Sequence, residues 1–180
     1  MITRGRFPKE SRIAAVGALL LLCGGAKWAV GSPPGQLPGL PDGLSEAEIR
    51  IVERATAPRA HVEALLKIST QRMDGALPLA RQNRNQEACD QLTLFVSLIR
   101  YTDQYTRVLP AGRRKDRDHN LKRIEQAIFR QLKQLDILLS ELPYQLREES
   151  LPGVEEVRRI RLRAINDLLG GGRAIAEPEE

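Results

Sequence analysis

The chain has 180 residues, with 28 Lys or Arg, 23 Asp or Glu and a net charge of +5. Residues 1–31 hold five of those bases and a single acid, so residues 32–180 carry only +1 and offer no argument for a nucleic-acid partner. One of the two cysteines, Cys23, falls in that leading segment; Cys89 alone cannot staple the remainder, and a chain of about 150 residues buries roughly 70% of its unfolded surface without help.

Arg4, Arg6, Lys9 and Arg12 form a basic leader with one acid, Glu10, and residues 13–26 follow without a charge. As a helix that run spans about 21 Å against a hydrocarbon core of about 30 Å, which is short for a membrane span and suits the apolar region of a secretory signal. Ala29 and Gly31 put small residues at −3 and −1 of a signal-peptidase cut before Ser32, the expected processing site. Left uncut, residues 13–31 are long enough to cross a bilayer with Lys27 snorkelling outward, so a signal anchor is the second reading. The stretch "LLLLC" resembles a bacterial lipoprotein box with Cys23 acylated, although Leu22 stands where that box has a small residue. All three readings keep the basic leader cytoplasmic and export the rest, to the periplasm or beyond.

"SPPGQLPGLPDGL" (32–44) has four prolines and three glycines, a spacer that supports neither helix nor ladder. The folded domain then opens at Ser45, whose hydroxyl can cap a helix while Glu48 reaches back to the cap amide. That helix is predicted to run to about Ala57, where Pro58 ends it or opens the next. Val62, Leu65, Leu66, Met73, Leu77 and Ala80 line one face of a second helix, with a kink at Pro78 and a turn at "QNRN" (82–85). Residues 88–105 are apolar on nearly every side, as in a central helix with Cys89 buried. Residues 109–118 read as a polar loop. Leu121, Ile124, Ile128, Leu132, Leu135, Leu138, Leu139 and Leu142 form one broad face of the next helix, ended or bent at Pro143. A last helix is expected from about Pro152 to Leu169, capped by the glycines that follow.

The expectation is therefore all-α: an up-and-down bundle of about four main helices, with a short extra N-terminal helix across one end. The division is a signal peptide or signal anchor (1–31), a spacer (32–44), a helical bundle (45–169) and a flexible tail (170–180). A shift of 62 residues lays Val62 on Ile124, Leu66 on Ile128 and Met73 on Leu135; duplication of a hairpin and two amphipathic helices in phase both produce this.

Chemistry is sparse. Glu63 and Asp74 share one side of a helix, and Glu125 and Asp136 repeat the spacing, but the chain has no Glu-x-x-His of the kind di-iron bundles use, and these carboxylates read as surface groups. Haem would need Met73 with His119, whose neighbours are all polar. Nucleophile elbows and Walker loops are absent, so no catalytic residue, metal or cofactor is assigned. The basic runs "GRRKDRDH" and "RRIRLR" read as solvated surface. Tyr101 and Tyr105, one turn apart, are either the polar-tipped end of a buried helix or, with Arg113, Arg114 and Lys115, an interaction patch. The functional expectation is an exported, non-enzymatic module, monomeric or homodimeric, that binds a protein or serves the cell envelope, with membrane attachment through residues 13–31 if the leader stays. The alternative is a bundle that holds an apolar small molecule between its helices.

Overall fold

The structure is a computed structural model and describes residues 39–170, which lie within the second of two units of the chain, Ser32–Glu180. The expected leader and the cleavage site expected after Gly31, most of the spacer and the tail beyond Gly170 lie outside the described residues. What is described is an all-α, up-and-down bundle of five helices: α1 (Glu46–Arg54), α2 (Pro58–Arg81), α3 (Asn85–Arg107), α4 (Arg114–Glu141) and α5 (Tyr144–Leu168).

Local chemistry explains the ends. Ser45 caps α1 as expected: its hydroxyl accepts from the Glu48 amide at 3.3 Å, while its own amide donates to the Glu48 carboxylate at 2.8 Å. Pro58 opens α2, where the amide it lacks has no helical partner to lose. Asn83 turns the chain between α2 and α3 at φ 60°, a left-handed conformation that Asn tolerates. Gly170 ends α5 at φ 75°, with its amide bonded to the Asp167 carbonyl.

Three expectations need correction. The segment 109–118 is not a loop throughout; a 3-10 turn (Ala111–Arg113) leads into α4 at Arg114. Basic residues at a helix start oppose the macrodipole, but Asp116 in that first turn ties to Arg113 at 3.5 Å and to Arg59 of α2 at 2.7 Å. The last helix begins eight residues early, at Tyr144, with Pro143 as its cap and Pro152 inside it. Pro152 is exposed, so its ring faces water and does not break the packed side. Beside it, a Cβ on Gly153 would meet Val96 at 3.4 Å, which marks a close approach of α5 to α3.

The third correction concerns α1, which lies along the bundle and not across its end. Val52 packs with Leu65 and Ile68 of α2 and with Leu98 and Tyr101 of α3. One turn back, Glu48 pairs with Arg72 further along α2, so α1 runs antiparallel to α2. Gly43, just ahead of it, sits over Leu94 of α3. The result is three layers: α1 with its lead-in, then α2–α3, then α4–α5.

The two hairpins stack with like helices side by side. Glu63 of α2 pairs with Arg123 of α4, Met73 accepts from Gln134 at 3.0 Å, and Arg81 pairs with Glu141. Asp103 and Arg107 of α3 meet Arg163 and Asp167 of α5 in the same way. Each pair is 60 or 61 residues apart, close to the 62-residue shift in the sequence. Between the hairpins lies the main core, with Phe95, Leu92, Ile99, Ile124, Ile128, Leu135, Leu138 and Ile160 almost fully sealed.

Candidate functional site

The end of the bundle where α3 finishes and α4 begins gathers the residues singled out from sequence. Tyr105 of α3 stacks on His61 of α2 with ring centroids 4.3 Å apart and planes 26° from parallel, and Tyr101 lies 6.3 Å from the same imidazole. Tyr101 is 7% exposed and packs beneath α1; Tyr105 is half-buried. Arg113, Arg114 and Lys115 are exposed at the start of α4. Burial pushes both phenols up, while the nearby Arg113 charge works against this at Tyr105.

His61 connects this group to α1. Burial pushes its pKa down, and the carbonyls of Ala55 and Val52 at the end of α1 pull the other way without reversing the shift. Its Nε2 is buried and has no hydrogen-bond partner among the described residues.

Beside these rings lies an ion network that sequence reasoning missed. The Asp103 carboxylate, 5% exposed, accepts from Arg107 Nε at 2.9 and 3.0 Å and lies 3.7 Å from Arg163. Arg107 reaches on to Asp167 at 2.7 Å. Burial opposes the Arg107 charge, but the two carboxylates outweigh it and raise its pKa. The i,i+4 spacing of Asp103 and Arg107 was a signal in the sequence; the partners sixty residues away required the hairpin stacking.

The other candidates separate. Glu63, Glu125 and Asp136 each bond an arginine, Arg123, Arg161 and Arg158 respectively, and Asp74 is exposed. Among the described residues no group of three or more His, Cys, Asp or Glu comes together to hold a metal. Met73 is sealed in the core and His119 is exposed on α4. The "RRIRLR" run is neutralised on the surface: Arg158 by Asp136 and Glu155, Arg159 by Glu156, Arg161 by Glu125, Arg163 by Asp103 and Glu156. Cys89 is buried as expected, 3.9 Å from the Ser150 hydroxyl, and burial raises its pKa, which keeps the thiol protonated at neutral pH.

A cleft of about 270 Å³ opens between the lead-in to α1 and the α2–α3 hairpin, bordered by Asp42, Arg72, Asp90, Gln91, Leu94 and Ser97 among others. It is partly open to solvent, its lining mixes polar and apolar surface, and none of the broad apolar face of α4 borders it. Among the described residues no helix is long and apolar enough to cross a membrane. The chain gives no significant match to any protein-family model, curated protein or solved structure. The described residues are a small all-α helical-bundle domain.

Proposed function

We propose that this chain is an exported, non-enzymatic helical module that acts at the cell envelope by presenting its surface to another macromolecule. The leader supports export: a basic start, an apolar run at 13–26, and small residues at Ala29 and Gly31. The observation that carries the choice between a surface and an internal ligand is the apolar face of α4. Leu121, Ile124, Ile128, Leu135, Leu138, Leu139 and Leu142 are all at most 7% exposed, and side chains of the neighbouring helices fill the space opposite them. A bundle that carries an apolar molecule needs a cavity of several hundred Å³ lined by such residues.

Native mass spectrometry of Ser32–Glu180 purified from its own envelope tests the reading. The expected result is the bare mass of the polypeptide, with a macromolecular partner recovered by photo-crosslinking from position 129, where Phe129 is 60% exposed on the flank of α4. A stoichiometric apolar small molecule in the native spectrum would support the ligand-carrying alternative instead.

A further inference from the structure

The end of the bundle that holds the His61–Tyr105 stack differs from the opposite end in charge and in apolar exposure. Arg59, Arg113, Arg114, Lys115 and Arg117 stand there against Asp116 and Asp118. Asp116 is shared between Arg59 and Arg113, so these residues leave an excess of three positive charges. Arg114 is 80% exposed and only loosely tied, 3.8 Å from Asp118. At the opposite end, segments 81–87 and 141–149 hold three bases, Arg81, Arg84 and Arg147, against four acids.

Apolar side chains stand beside the basic group. The Arg107–Asp167 bridge at 2.7 Å fixes the ends of α3 and α5 at one level. Val108 and Leu168, the next residues on each helix, therefore lie at about the same level at that end, 41% and 38% exposed, and Leu169 follows at 57%. Three of the six large apolar residues exposed among the described residues thus lie at this end of the bundle, the end that carries the excess of bases. The cleft described above lies away from this end, bordered by residues of the α1 lead-in and the middle of α2 and α3.

We infer that this end of the domain docks on an anionic lipid surface, with Arg113, Arg114, Lys115 and Arg117 at the headgroups and Val108, Leu168 and Leu169 pressed into the interface. The chemistry favours lipid over an acidic protein. Long flexible cations suit a fluid sheet of negative charge, and exposed apolar side chains at the same end need an apolar layer and no shaped groove. The inference rests on the proposed export only for which membrane the domain meets; docking itself is a property of Ser32–Glu180, a unit with its own core.

The test is co-sedimentation of Ser32–Glu180 with vesicles of phosphatidylcholine alone and of phosphatidylcholine with one-third phosphatidylglycerol. Each basic residue near an anionic surface contributes about a fivefold gain in partitioning. The combined Arg113→Gln, Arg114→Gln and Lys115→Gln change should weaken binding to the anionic vesicles on the order of a hundredfold. Leu168→Ser with Leu169→Ser should weaken it further, and molar salt should abolish it. Arg81→Gln, Arg84→Gln and Arg147→Gln at the opposite end should leave it unchanged. Circular dichroism of each variant must match the parent, so that a lost fold is not read as lost docking. In the full chain carried on vesicles by its leader, trypsin should cut after residues 113–115 more slowly on the anionic surface than on the neutral one. Equal binding to both vesicle types, or equal loss from the two triple variants, overturns the inference. So does an absence of vesicle binding together with capture of an acidic protein by the same bases. None of these results bears on where the leader is cut, so a failure of docking and a failure of export remain distinguishable.

Discussion

His61 and Tyr105 stack at 4.3 Å across the α2–α3 hairpin, with the imidazole turned toward the carbonyls at the end of α1. One residue thus touches the second layer and closes the first. Because burial pulls its pKa below 6.5, the folded state favours the neutral ring. The unfolded chain takes up this proton at a higher pH than the folded one, so stability from His61 is complete above 6.5 and is lost as pH falls through the lower folded value. The melting temperature should therefore begin to fall as pH drops below about 6.5, ahead of the range in which most carboxylates titrate. His61→Phe keeps the stack and should flatten that part of the profile; an unchanged slope would show that the proton is taken up elsewhere.

The α1 layer hangs on one fully buried residue. Val52 is 0% exposed and is the only buried residue of α1. Val52→Ala should cost about 1.5–3 kcal/mol in transfer and cavity terms. It should also expose Arg50 and Arg54 to trypsin before the bundle unfolds, since α1 packs on the hairpin from outside. Proteolysis at these sites no faster than global unfolding would mean that α1 is not a separate layer.

Leu98 and Arg113 give the sharpest contrast between interior and surface. Leu98 is 0% exposed, while Arg113 is exposed and loosely paired with Asp116. Leu98→Asp must bury an unpaired carboxylate and should cost at least about 3 kcal/mol more than Arg113→Asp, or abolish folding. Similar denaturation midpoints for the two would contradict the packing described.

Gly75 lies in the middle of α2, and a Cβ there would meet nothing within 4 Å. Gly75→Ala should therefore raise stability by about 0.5–1 kcal/mol, because the added methyl restricts the unfolded chain and clashes with nothing in the folded one. A loss of stability would show that the helix backbone at this point is not as regular as the fold requires.

The sequence made some features legible and hid others for identifiable reasons. Ser45 and Glu48 announced the start of α1, because a capping box is a local device complete within four residues. The apolar faces of α2 and α4 gave the main core because 3.6-residue periodicity survives whatever the partner is. Ile68 escaped, since it belongs to a second apolar face of α2 that exists only because α1 lies there. From sequence Pro152 reads as a helix start, but a proline on the wet side of a helix already held by Val154, Val157 and Ile160 need not end it. Of the patch proposed from sequence, the structure brings Tyr105 near Arg113 and sinks Tyr101 beneath α1. The Asp103–Arg163 and Arg107–Asp167 pairs join residues that only the stacking of hairpins brings together.

Whether the bundle works outside the cytoplasm is the central question, and the most direct measurement is the N-terminal sequence and intact mass of the protein recovered from its own cells, fraction by fraction. The expected result is an exported form that begins at Ser32. A lipid-modified Cys23, or an intact leader on membrane-bound protein, would move the anchor but keep the domain outside. An intact chain beginning at residue 1 or 2 in the soluble cytoplasmic fraction, with no exported form, would contradict the claim.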